Sequence, residues 1–292
     1  MIRARFLLPV LFLAAVGSFV LVFTVWPNAQ LKGSKDPWPM ALGLLLQSLV
    51  LLFVTAWRAR RAGLRVGDLY ARLPSRGQSL RLAALGFSTA GLQVLLMYLV
   101  FAPLSLLFPD ATQAWLFKDS PVLYSPGPPF PWFGNLAGLA AAVVAAPIAE
   151  EWFFRGLLLL RWREKWGPVA AVVGSSTVFA LLHDNIGGAF AFGVVMCVLC
   201  LQYRSLLAST IVHMSNNALA CAFEALSLHG LQPVGSTVAD FRAEWWMPVA
   251  GCLLALPLIL RVRSGYRTVS SWQFGPLLSS AMPPDDQLMP TN

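Results

Sequence analysis

Three short patterns in this 292-residue chain put hydrolytic chemistry within reach: Glu150-Glu151-x-x-x-Arg155, Phe179-x-x-x-His183 and His213-x-x-x-Asn217. A carboxylate in an apolar setting can take a proton from water. A histidine can orient that water or bind a metal. An amide and a second imidazole can stabilise the oxyanion that forms on an attacked carbonyl. Glu151 and Arg155 stand at i and i+4, in the orientation that favours an ion pair on one helix face. Glu150 is rotated by about 100° from that face and is left to meet something else. His213 and Asn217 share a helical stripe by the same spacing.

These groups occur where ionisable residues are rare. Hydrophobic residues make up 57% of the chain and charged ones 12%, with a mean hydropathy of +0.66. A soluble domain carries about 25% charged residues, so half of the usual solvating surface is missing. A lone charge in the bilayer interior costs roughly 3 kcal/mol or more, which makes such residues functional markers. Here they are expected to be confined to three apolar blocks, in PIAEEWFFRG, FALLHD and IVHMSNN.

The elements that must position them are membrane helices, each needing about 20 residues to cross. Apolar blocks cover 6–26, 38–57, 82–108, 133–160, 168–183, 186–203, 206–228 and 245–260. The expected fold is all-α, a polytopic transmembrane helical bundle of about eight spans. The first block reads as a retained signal anchor, because it is long and more spans follow it. Residues 109–132, rich in proline and aromatics, read as a loop at the membrane surface. Residues 264–292 contain no apolar block and read as a disordered tail. The chain divides into an N-terminal transmembrane region with a basic cytoplasmic loop (1–132), a core bearing the three patterns (133–228), and a last span with the tail (229–292).

Charge supports this order. With the N-terminus inside, most of the 21 Lys and Arg residues face the cytoplasm, leaving Lys32, Lys35, Lys118 and Arg242 outside. That bias predicts an N-in, C-in topology. Seven arginines between Arg58 and Arg81 fit a segment lying along anionic inner-leaflet lipid. The net charge of +8 thus serves topology, and no nucleic-acid partner is expected. Cys197-x-x-Cys200 and Gly174-Ser175-Ser176 read as small-residue helix packing. No disulfide framework is implied.

Depth groups the candidates. Glu150 is about ten residues in from the inner boundary near Leu160, roughly 15 Å, and His213 is nine in from Arg204, roughly 14 Å, at about 1.5 Å per residue. His183, about 22 Å from Pro168 on the same scale, fits least well. Taken singly, Glu151 with Arg155 reads as a structural ion pair, His213 with Asn217 as interhelical glue, and His183 as an interfacial histidine. Their joint occurrence at compatible depths points to a site.

In family order and on near-successive helices, the three patterns resemble those of the CAAX-protease and bacteriocin-processing (CPBP) family of intramembrane proteases, which includes the type II CAAX prenyl endoproteases. The resemblance spans about residues 133–228. It implies an intramembrane endopeptidase in which Glu150 activates water with help from His183, and His213 and Asn217 stabilise the oxyanion. Glu151, Arg155 and Phe179 would then support the site. The family has been described both as glutamate-dependent and as metal-dependent. No cofactor is therefore assigned, with zinc on Glu150, His183 and His213 as the alternative. The expected partners are the lipid bilayer and a membrane-anchored protein or peptide substrate. In a bacterial host the location would be the plasma membrane. Two rival readings are a non-catalytic immunity or scaffold protein of the same family and a proton-relay transporter, the latter expected to show internal repeats.

Overall fold

A chain in hydrocarbon must satisfy its backbone internally, and the helix does so within one segment. The computed structural model describes residues 4–25, 37–61, 74–117, 122–123, 132–228 and 237–270, and each of the eight expected apolar blocks is helical over most of its described residues. The helices are α1 (Ala4–Val25), α2 (Trp38–Arg61), α3 (Arg76–Leu107), α4 (Pro109–Leu116), α5 (Trp132–Trp166), α6 (Pro168–Ala180), α7 (Ile186–Tyr203), α8 (Leu206–Leu228), α9 (Val238–Ala243) and α10 (Trp246–Ser270). No strand occurs among the described residues. Five of the helices, α2, α3, α5, α7 and α8, are long and apolar enough to cross a membrane, while α6 and the apolar parts of α1 and α10 are shorter. The chain is an all-α polytopic bundle.

Several expectations are corrected. The segment after Phe108 begins with helix α4 rather than a loop, since Pro109 opens it with a fixed φ and no N–H to leave unpaired. Helix α6 ends at Ala180, short of His183, because the chain tightens there: Leu182 and His183 donate to carbonyls only three residues back. Asn185 then caps α7 by accepting from Gly188 N. The last helix continues to Ser270, so the first part of the expected tail is helical. Residues 271–292, and the centre of the arginine-rich segment at 62–73, lie outside the described residues.

Helix α5, which carries the first pattern, is unbroken but not uniform. It contains two wide π-helical stretches, Ala140–Ala145 and Trp152–Leu159, on either side of the regular turn Ala146–Glu151. Pro147 lies just past the first of them and has no N–H to donate. In the i→i+5 register of that stretch, in which Ala146 N reaches Ala141 O, Ala142 would take its hydrogen bond from residue 147. Proline there leaves the Ala142 carbonyl open to another donor.

Helices approach closely where small residues allow it, as expected where apolar lipid supplies no hydrophobic drive for association. A Cβ on Gly86 of α3 would lie 2.5 Å from Ser215 Cβ and 3.0 Å from Asn216 N on α8. Gly91 of α3 and Gly251 of α10 meet in the same way, and Gly193 of α7 rests on Ser176 of α6. The Gly174-Ser175-Ser176 run packs accordingly: Gly174 lies against the Trp162 ring and Ser175 donates to the Phe154 carbonyl. Gly86→Ala is expected to lower stability by about 1–3 kcal/mol through overpacking. Gly77→Ala, at a position with nothing within 4 Å, should hold or raise it. Thermal unfolding in detergent measures both, and equal melting of the two variants would refute the close α3–α8 approach.

Candidate active site

The site is built on the regular turn of α5 between its two π stretches. Glu151 and Arg155 are both fully buried, and Arg155 Nη1 donates to Glu151 Oε1 at 3.0 Å. Arg155 Nη2 donates to the Gly193 carbonyl on α7 at 3.2 Å. Its guanidinium also lies 4.7 Å from the centre of the Phe179 ring, a cation–π contact that helps to hold a desolvated charge.

The same Glu151 oxygen also receives His213. Nδ1 of His213 lies 3.0 Å from Glu151 Oε1, with the imidazole 4% exposed. A carboxylate ionised by its arginine partner can only accept, so Nδ1 is the donor. This fixes the ring and directs Nε2 to the other side. There it faces Glu150, whose Oε2 is 3.7 Å away and whose side chain is 24% exposed. The arrangement runs Arg155–Glu151–His213–Glu150. A buried carboxylate orients an imidazole by one nitrogen, and the other nitrogen faces a second carboxylate with some access to the exterior. Two adjacent residues of one helix turn thus have different environments, because about 100° of rotation sends their side chains to different neighbours.

Phe179 joins the remaining pieces. Its ring is 2% exposed and stacks on His183 at 4.3 Å. It also meets His213 edge-on at 6.1 Å. Nδ1 of His183 lies 2.8 Å from the Phe179 carbonyl, so this nitrogen carries the proton and Nε2 is free to accept. Among the described residues His183 makes no hydrogen bond to Glu150 or His213; it belongs to the group through the Phe179 ring.

Asn217, one turn beyond His213 on α8, donates from Nδ2 to the Ala142 carbonyl at 2.9 Å. This is the carbonyl that Pro147 leaves without a backbone donor. A primary amide has two N–H groups, so one remains for another acceptor. A zinc site at Glu150, His183 and His213 needs three side chains converging on one point. Among the described residues no three His, Cys, Asp or Glu side chains are grouped in that way. The residues as placed do not form such a set, and no step is routed through a metal.

Several contributors were not foreseen. Phe192 packs edge-on against His213 at 4.8 Å, and the Gly193 carbonyl gives the arginine a second acceptor. Two uncharged polar residues of α3 also join the group. Gln93 of α3 donates to Asn216 Oδ1 at 2.9 Å, and Thr89 donates to the same atom at 3.1 Å. Gln93 was visible as the lone amide in the apolar run GLQVLLMYLV. Glu224 of α8 accepts from the backbone N–H groups of Val122 and Leu123 at 2.7 and 2.9 Å.

Breaking the buried pair from one side should be costly. Arg155→Met leaves Glu151 without its counter-charge and is expected to lose about 3–5 kcal/mol. Adding Glu151→Gln should recover part of that loss. Thermal unfolding of the single and double variants tests this, and strictly additive losses would contradict the pairing.

A family model for type II CAAX prenyl endopeptidase Rce1-like proteins matches residues 132–219, which include all three patterns. No curated protein and no solved structure matches the chain. Over residues 132–219 this membrane protein is therefore similar to the type II CAAX prenyl endopeptidases that the family model describes.

Proposed function

We propose that the protein is an intramembrane endopeptidase that hydrolyses peptide bonds of membrane-anchored or C-terminally processed substrates, using water activated by Glu150. The observation that carries this reading is the asymmetry of the two glutamates. Glu151 is sealed and neutralised by Arg155, whereas Glu150 is partly open and faces an imidazole whose orientation is already fixed. In this reading Glu150 takes a proton from water and the resulting hydroxide attacks the scissile carbonyl. Glu150 then passes the proton to the leaving amine.

The developing oxyanion is received by Nε2–H of His213 and by the second N–H of Asn217. With Nδ1–H engaged by Glu151, a donor at Nε2 means the imidazolium, for which Glu151 and the oxyanion itself supply counter-charges. His183, set by Phe179, offers its Nε2 lone pair to orient the water. A lipid-embedded substrate is consistent with the site's place on helices long and apolar enough to span. In a bacterial host the enzyme would work in the plasma membrane.

The test is cleavage of a panel of membrane-anchored peptides by purified protein, using anchors at either end and both prenylated and unprenylated C-termini. Glu150→Gln is expected to lower kcat by about 10²–10⁴-fold, the contribution of a general base. Asn217→Ala should lower it by about 10²–10³-fold, the usual cost of one oxyanion donor. Turnover that survives Glu150→Gln with a correctly folded protein would overturn the assignment. Cleavage abolished by a chelator and restored by zinc would replace glutamate chemistry with metal chemistry. If no peptide is cleaved by a folded wild-type protein, the reading gives way to a non-catalytic member of the family.

A further inference from the structure

Helix α3 lies outside the segment that matches the family, yet one of its residues reaches both arms of the site. Gln93 Nε2 donates to Asn216 Oδ1 at 2.9 Å, and the Thr89 hydroxyl, one turn earlier, donates to the same oxygen at 3.1 Å. Thr89 is fully buried. With its oxygen held by two donors, the Asn216 amide can turn only its nitrogen toward the next residue. That nitrogen lies 3.4 Å from Asn217 Oδ1. Asn217 in turn points its own nitrogen at the Ala142 carbonyl, 2.9 Å away. The chain of donors runs one way, from Gln93 through Asn216 and Asn217 to Ala142.

The backbone of Gln93 serves the other arm. Its carbonyl accepts from Asn185 Nδ2 at 3.0 Å, and Asn185 caps α7 two residues after His183. The close approach of α3 at Gly86 brings the helix backbone against Ser215 and Asn216 and so makes the side-chain contacts possible.

We propose that Gln93 is a positioning residue of the reaction: through Asn216 it sets the polarity of the Asn217 amide, so that Asn217 presents nitrogen rather than oxygen to the substrate carbonyl. An asparagine amide is nearly symmetric in shape, and its direction is decided by its hydrogen-bond network. An amide turned by 180° would offer an acceptor to the oxyanion and repel it. This inference rests on the proteolytic reading only for its consequence; the relay itself is independent of activity.

Two measurements separate the questions. The first is side-chain ¹⁵N–¹H NMR of asparagine-labelled protein in detergent, with Asn216 and Asn217 assigned by single replacement. Gln93→Leu and Gln93→Glu should shift the NH₂ signals of both asparagines, since glutamate puts an acceptor where a donor is needed. Thr89→Ser, which keeps the hydroxyl, should leave both in place. An Asn217 signal unmoved by both Gln93 variants overturns the relay whether or not any substrate is cleaved.

The second measurement is kinetics on a peptide that the wild type cleaves. Gln93→Leu should lower kcat by at least about 10-fold, within the range known for loss of one oxyanion donor, with KM and melting temperature near those of wild type. Gln93→Glu should lower it further. Loss of stability with kcat unchanged in the folded fraction would make Gln93 a structural residue only and would contradict the proposal. Asn217 signals that shift in a protein cleaving no peptide would sink the enzymatic reading and leave the relay standing.

Discussion

The hydrogen bond between His213 and Glu151 is the interaction on which the rest of this molecule's site depends. It links two helices, α5 and α8, which the Asn217–Ala142 hydrogen bond also joins, and it does so in a medium where an unpaired charge costs several kcal/mol. Arg155 makes the bond possible by neutralising Glu151, and the Gly193 carbonyl and the Phe179 face make Arg155 tolerable in turn. A buried ion pair of this kind is weak support for stability as such, because its desolvation offsets much of its attraction. What it contributes is orientation. One nitrogen of the imidazole is committed, so the other must face Glu150.

The irregularities of α5 follow the same logic. A helix in lipid normally has no backbone group to spare, yet a π stretch followed by Pro147 leaves one carbonyl, that of Ala142, without a backbone donor. The fold fills the vacancy with the amide of Asn217. A second π stretch begins right after Glu151. Wide turns of this sort are rare and tend to occur at functional sites. Here they flank the single regular turn from which both glutamates project.

Much of this was legible in the sequence, for physical reasons that differ by feature. The helices were readable because lipid demands long apolar runs, and α7 and α8 have the bounds expected from the runs themselves. The pairing of Glu151 with Arg155 was readable because helical spacing is local. The contact between Glu151 and His213 was not, since it depends on how two helices far apart in sequence are rotated against each other. Helix α4 was missed because eight residues of mixed character resemble a loop in a Pro-rich region. Gln93 was missed because an uncharged amide attracts less notice than a glutamate, although in hydrocarbon it too must find partners. The end of α6 at Ala180 explains why the depth of His183 fitted poorly: the residue sits on a turn and reaches the site through Phe179.

The most direct measurement is the protonation pattern of the His213 ring by ¹⁵N NMR in the folded wild-type protein. A proton on Nδ1 is expected, with the strongly deshielded signal of an N–H donated to a carboxylate. A ring with Nδ1 bare and its only proton on Nε2 would contradict it, because Glu151 would then not be the group that orients His213 toward Glu150.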